Sequence, residues 1–336
     1  MKLLIVTQKV DRTDPILGFF HRWIEEYARN CDHVTVIGQL VGMHHLPGNV
    51  TVESLEKEKG KSLIAQVLRS YALFWKHRKQ YDVVLVHMTP VWVLIGFPLW
   101  KLLSKRVYLW YEIKRGSWKL SVALLLIRKV FLATKYGIPK PSKRQVIVGH
   151  GIDLDRFAPI HDLHEPGHIV SVGRMTRVKN YDLVIRTVSQ LKGARLTIAG
   201  GTITAADEQE QNKLRSLMNS LGIADRVTVG WVPPDDVPTL LQRADIFLHA
   251  SEGGLDKVVL QSMASGLPLV SISKAASEVL PPECRATPDT MVQQAQKLME
   301  LSGTARKTLG DKLRAIVEKD HSLAQCIARQ IVEMRE

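Results

Sequence analysis

The sequence predicts an α/β protein built on two mostly parallel, doubly wound sheets. Three observations carry this prediction. Short β-branched runs recur along the chain, each followed by a polar or glycine-bearing loop and an amphipathic helix. At 336 residues the chain exceeds most single cores, so two domains are expected. The alternation falls into two series joined by a polar, acid-containing linker, and no short-period repeat appears.

The first series opens with a buried strand over residues 2–7. Residues 8–17 are polar, with Asp14-Pro15 as a turn, and Gly18 precedes a helix over residues 19–30. That β-loop-α start places a loop at the carboxyl end of the first strand, where doubly wound sheets bind ligands. Strands follow at 34–37, 50–52, 82–87, 107–110 and 145–148, with a helical stretch at 63–81. Two apolar stretches, 91–103 and 118–133, each fall short of the roughly 20 residues a bilayer span needs. They read as core helices, the alternative being helices with one face resting in a membrane interface. The first domain is set at 1–155.

The second series has strands at 169–172, 195–199, 227–229, 246–249 and 269–272. Helices lie near 181–192, 207–221, 235–243, 256–265, 289–301 and 303–319, giving a domain at 165–320. The terminal segment 321–336 is a helix with no strand after it, free to pack back on the amino-terminal domain.

Charge is one-sided. Residues 1–160 hold 25 Lys/Arg against 12 Asp/Glu, whereas 161–336 hold 21 of each, so the net +13 belongs to the first half. Within 101–150 Glu112 is the single acid among 12 basic residues, including Lys101, Lys105, Arg106, Lys114, Arg115, Lys119, Arg128 and Lys129. Such a field suits a polyanionic partner: an anionic membrane surface, a phosphorylated carrier or nucleic acid. Nucleic acid is not expected, because aliphatic helices interrupt the basic region and no recognised motif is present. Glu112 reads as a salt-bridge partner or, alternatively, a sugar ligand. Cys31, Cys284 and Cys326 lack metal-ligand spacing and read as free thiols of a reducing cytoplasm. The opening strand leaves no signal peptide visible.

Chemistry concentrates in the second half. A strand ends at Gly173, a helix begins near Asn180, and Arg174, Arg177 and Lys179 lie between them. Backbone N–H groups, a helix N-terminus and cations together form an anion site; the alternative is a surface loop with solvated cations. Gly200 and Gly201 follow the next strand and permit close backbone approach, or a tight turn. Ser251–Leu255 (SEGGL) opens the helix at Asp256, and Gly266-Leu267-Pro268 ends it.

Read together, VGRMTRVKNYDL, LTIAGG, RVTVGWVPPDDVPTLLQRADIFLHAS, GGLDKVVLQSMASGLPLVS and GHGIDLDRF resemble the retaining, nucleotide-sugar-dependent glycosyltransferases of family 4. The resemblance covers nearly all of residues 145–275 in order. It implies GT-B architecture: two Rossmann-like domains with parallel sheets facing an interdomain cleft, the donor bound mainly to the second. It further implies that Arg174 and Lys179 grip the donor diphosphate, with no metal and no cofactor beyond the nucleotide-diphosphate sugar as co-substrate. Trp231 and Val232 lie where the family contacts the base, and Gly18 where it lines the cleft. Gly173, Gly200, Gly253, Gly254 and Leu255 complete the implied donor surface. His87 is the best-placed histidine for the strand-end position near the sugar, ahead of His21 and His150; the alternative is a structural role.

Two positions depart from the family pattern. Its two glutamates fall here on Gly253 and Gln261. A glutamine accepts a hydrogen bond without charge, and glycine offers no side chain. Asp256 and Lys257 begin the same helix and either contact donor in compensation or cap it. The expected function is retaining, metal-independent transfer to a glycan or lipid-linked acceptor, in polysaccharide biosynthesis, by a peripheral protein on the cytoplasmic membrane face. The alternative is a catalytically impaired nucleotide-sugar-binding or regulatory subunit.

Overall fold

A computed structural model describes residues 1–113, 116–160 and 163–336; Lys114 and Arg115 of the basic stretch lie outside the described residues. The chain forms two compact units, Met1–Gly151 with His321–Glu336, and Ile152–Asp320.

The first unit carries seven strands, β1 (Lys2–Val10), β2 (His33–Val41), β3 (Val50–Ser54), β4 (Val83–His87), β5 (Arg106–Trp110), β6 (Lys129–Leu132) and β7 (Gln145–Ile147). They pair in parallel in the order β3-β2-β1-β4-β5-β6-β7. Alternation along each strand divides the core in two, because successive side chains leave opposite faces. Leu3, Ile5, Val34, Val36, Val83 and Leu85 point to one face, under helix α1 (Phe19–Asn30) and the terminal helix α11 (Leu323–Arg335). Leu4, Val6, Ile37, Val84, Val86 and Leu109 point to the other, under α2 (Leu63–Lys76), α3 (Pro90–Leu102) and α4 (Trp118–Leu126). Covered on both faces, the central segments 3–6 of β1 and 83–86 of β4 are apolar throughout, as parallel sheets favour. The Tyr27 hydroxyl donates to Gln330 Oε1 at 2.6 Å, and Tyr108 to the Glu333 carbonyl at 3.1 Å, tying α11 to this unit.

One element differs from the sequence reading. The apolar stretch 118–133 is not one helix: α4 ends at Leu126 and β6 begins at Lys129. Ser117 starts α4 by accepting from the Leu120 amide, and Ile127 leaves the helix in an extended conformation. An apolar run without sharp periodicity fits a buried helix and a buried strand equally well, and burial on both faces decides for the strand. No helix among the described residues is long and apolar enough to cross a membrane.

The second unit carries β8 (His168–Val172), β9 (Arg195–Ala199), β10 (Val227–Gly230), β11 (Ile246–His249) and β12 (Leu269–Ser271), parallel in the order β10-β9-β8-β11-β12. Between and after them run α5 (Tyr181–Ser189), α6 (Ala205–Ser220), α7 (Val237–Arg243), α8 (Lys257–Ala264), α9 (Met291–Met299) and α10 (Gly303–Asp320). Chain direction across the sheet reverses between β8 and β11. That switch point is where an open α/β sheet leaves a crevice at its carboxyl edge.

Candidate functional site

The carboxyl edge of the second sheet is tied by its own backbone. After β8, Gly173 N–H donates to Ala199 O at 3.0 Å. Gly200 N–H donates to Gly230 O at 2.8 Å, and Met175 N–H to Gly201 O at 3.2 Å. The loops after β8, β9 and β10 thereby lie against one another. A Cβ on Gly200 would stand 1.8 Å from the Gly173 carbonyl, and one on Gly201 2.9 Å from the Trp231 ring. Gly200 is required by this close backbone approach. Trp231 covers Gly201 while remaining 56% exposed.

Two cations of the β8 loop, Arg174 and Lys179, are held by carboxylates from different elements. Arg174 is half exposed, its Nε 3.9 Å from Asp207 Oδ2 at the start of α6. A short 3-10 turn at Arg177–Lys179 precedes α5, which begins at Tyr181 as expected, after Asn180 in a left-handed conformation. The turn aims Lys179 back across the edge. Its Nζ lies 2.6 Å from Asp256 Oδ2, and the Tyr181 hydroxyl donates to Gly173 O at 2.8 Å. Burial holds the Tyr181 phenol protonated far above its ordinary range.

Asp256 is the hub of this arrangement. Its Oδ2 also receives His249 Nε2 at 2.8 Å, and His249 Nδ1 is 2.8 Å from Ser271 Oγ, which accepts from Ser273 N–H at 3.1 Å. The donors run one way if Nε2 carries the imidazole proton, with Ser271 donating to Nδ1. Burial would push the Asp256 carboxyl up, but the His249 contact and the Lys179 charge outweigh it and hold it well below the usual carboxylate range. Strand ends β11 and β12, the start of α8 and the β8 loop are thus joined through one carboxylate. The Asp256 side chain makes no capping bond at α8 and is paired with Lys179.

The remaining expected residues fall as follows. Leu255 is buried, and Val232 is half-buried beside the exposed Trp231. Gly253 and Gly254 line the loop before α8, where a Cβ meets only Ser251 Oγ at 3.4 Å or nothing. Lys257 opens α8, and Gln261 sits one turn further along. In the first unit Gly18 stands at the N-terminus of α1, where a Cβ would meet the Asp14 and Arg12 carbonyls at 2.6 and 2.8 Å. His87 ends β4 as expected, 1% exposed, stacked on Phe20 at 3.9 Å, with Nδ1 3.1 Å from Thr7 Oγ1, contacts that fit the structural alternative. His21 is likewise buried, its Nε2 accepting from the His45 amide.

Of two further groups, one has no signal in the sequence and the other sits otherwise than expected. His249 reads as an ordinary strand residue until the register sets it beside Ser271. Glu112, expected in an ion pair or on a sugar, instead accepts from Ala133 N–H at 2.7 Å and Thr134 Oγ1 at 3.1 Å, and burial pushes it up to about 7. A cavity of about 290 Å³ in the second unit is lined by residues including His164, Asp245 and Arg306, at the amino ends of β11 and β12. It is away from the cationic edge, and its charged groups already satisfy one another: Arg306 lies 2.6 Å and His164 3.1 Å from Asp245 Oδ1.

Residues 166–302 match the family Glycosyl transferases group 1. The lipopolysaccharide core biosynthesis glycosyltransferase LpsE of Rhizobium meliloti is 33% identical over 105 residues, covering 31% of this chain and 28% of that protein. The D-inositol 3-phosphate glycosyltransferase of Mycobacterium tuberculosis is 30% identical over 155 residues, covering 38% of this chain and 31% of that protein. The matched segment therefore spans less than a third of these relatives. The crystal structure of HepE of Anabaena in complex with UDP superposes with a TM-score of 0.77 at 16% identity, covering 99% of this chain and all of the other. The likeness to the group 1 glycosyl transferases lies in residues 166–302, and the fold is that of the GT-B glycosyltransferases, two Rossmann-like units.

Proposed function

We propose that this protein transfers a sugar from a nucleotide-diphosphate sugar, with the diphosphate at the carboxyl edge of the second sheet. The observation that carries the reading is that Arg174 and an oriented Lys179 leave the same β8 loop, Lys179 lying against Gly173, beside glycines that leave the backbone open to a phosphate. As the C1–O bond to the diphosphate breaks, negative charge grows on the leaving oxygen, and fixed cations stabilise it without reorganising. In this reading they do so without a metal. The acceptor hydroxyl attacks C1 from the face the diphosphate leaves, its proton passing to the departing phosphate oxygen, so configuration is retained. Trp231 and Val232 serve the base. The UDP complex of HepE makes uridine nucleotides the first donors to test. The name of LpsE and the basic first half support a glycan or lipid-linked acceptor at the cytoplasmic membrane face.

The test is transfer of radiolabelled sugar from a panel of nucleotide-diphosphate sugars, with and without EDTA. Transfer insensitive to EDTA and lost in Arg174→Ala and Lys179→Ala supports the reading. Undiminished transfer by both variants overturns it. Gly253 and Gln261 favour a second reading, a nucleotide-sugar-binding subunit without turnover. Tight donor binding with no transfer to any acceptor would select it.

A further inference from the structure

The helices α2, α3 and α4 cover one face of the first sheet, and their outward sides are not what a solvated surface requires. On α2, Gln66, Ser70, Leu73 and Phe74 turn inward, while the opposite side carries Ile64, Leu68 and Trp75 at 74, 67 and 50% exposure. Their spacing of four and seven residues makes them one stripe. On α4, Leu120 and Ala123 turn inward, while Trp118, Val122 and Leu125 form a second stripe, the first and last 67 and 74% exposed. Leu102 at the end of α3 is 75% exposed. Single exposed hydrophobes are ordinary; two stripes in one helical layer, on α2 and α4 at either side of α3, are not.

Charge identifies what covers them. None of the three helices contains Asp or Glu. Lys61, Lys79, Lys101 and Lys119, in or near the end turns of these helices, are exposed. Arg78 lies 4.4 Å over the Trp75 ring, and Lys101 and Lys119 sit within 6.0 Å of the Phe97 and Trp118 rings. Aromatic rings and leucines with long cationic side chains around them match the region where lipid headgroups meet acyl chains: the apolar stripe enters, and the cations reach phosphate. A second copy of this chain would bring the same cations together with no carboxylate on these helices to meet them.

We propose that the outward face of α2, α3 and α4 docks the protein onto a bilayer containing anionic phospholipid, lying in the interface without crossing it. The proposal gives a surface to the membrane-face part of the reading above and is independent of the donor chemistry. Its test is co-sedimentation of the full chain with vesicles of phosphatidylcholine alone or of an equal mixture with phosphatidylglycerol, with nucleotide binding measured separately without vesicles. Binding is expected to the mixed vesicles, to fall with salt, and to be slight on phosphatidylcholine. Leu68→Ser with Leu125→Ser, both exposed and outside the core, should lower partitioning at least about tenfold. Lys79→Glu with Lys101→Glu should lower it roughly fivefold or more for each charge while leaving nucleotide binding unchanged. No binding, or equal binding to both vesicles, overturns the proposal. So does a dimer in free solution that Leu68→Ser with Leu125→Ser dissociates, which would assign the face to a second copy. Loss of nucleotide binding in the parent chain with vesicle binding intact would overturn the donor reading alone.

Discussion

Replacing Asp256 by asparagine keeps the volume and one acceptor oxygen but removes the charge that joins Lys179 to His249. The two contacts it makes, at 2.6 and 2.8 Å, are of the charge-assisted kind, each about 1.5–3 kcal/mol when well shielded. The side chain is 24% exposed and the amide oxygen can still accept, so the expected net loss is about 1–2 kcal/mol. For a unit of this size that lowers the melting midpoint by about 2–8 °C. The carboxyl is held below its ordinary range in the folded state, so its contribution is complete above the unfolded value near 3.8 and is lost as pH falls through the folded value. The difference between Asp256→Asn and the parent should therefore be constant from neutral pH to about 5 and shrink below about 4. Denaturant unfolding of the second unit across this range gives the stability. Titration with a nucleoside diphosphate gives the function: affinity should fall about threefold to tenfold as Lys179 loses its anchor, less than in Lys179→Ala. If the variant matches the parent in both midpoint and diphosphate affinity, Asp256 does not position Lys179.

Glu112, raised by burial to about 7, binds a proton in the folded unit at pH values where the unfolded chain has lost it, so stability should fall as pH rises from about 4.5 to 7. Glu112→Gln keeps both hydrogen-bonded neighbours satisfied and should be more stable than the parent by on the order of 1–3 kcal/mol at pH 8 but not at pH 4, read by urea denaturation; parallel curves refute this. Gly200→Ala drives a Cβ to 1.8 Å from a backbone carbonyl and should cost at least about 3 kcal/mol or yield no folded protein, checked by expression and thermal unfolding. Gly253 has room for a side chain and a backbone outside the left-handed region. Gly253→Glu should therefore leave the midpoint within about 0.5 kcal/mol of the parent, and combined with Gln261→Glu should raise transfer if those two positions limit turnover.

Most of the architecture is readable because buried parallel strands are short apolar runs between loops, and the eleven strands expected from sequence coincide with β1 to β5 and β7 to β12. β6 was hidden because its Val130-Phe131-Leu132 continues the apolar composition of α4, and only Ile127 turning extended separates them. Within the site, Gly173, Arg174 and Lys179 were legible as a local pattern of glycine and cations. The role of Asp256 was not, since its partners Lys179 and His249 come from other loops and strands and are assembled by sheet register. His87 shows the converse: its place at a strand end was right, but the stacking of Phe20 that buries it is a tertiary fact with no local signature.

The most direct test of the central claim is isothermal titration of the full chain with uridine, guanosine and adenosine diphosphates in the presence of EDTA, repeated with Arg174→Ala. The account predicts binding of at least one of these without metal, weakened about tenfold or more when the half-exposed Arg174 is removed, since each lost charge-assisted contact is about 1.5–3 kcal/mol. Failure of all three to bind the parent chain, or binding untouched by Arg174→Ala, would contradict a diphosphate site at the edge of the second sheet.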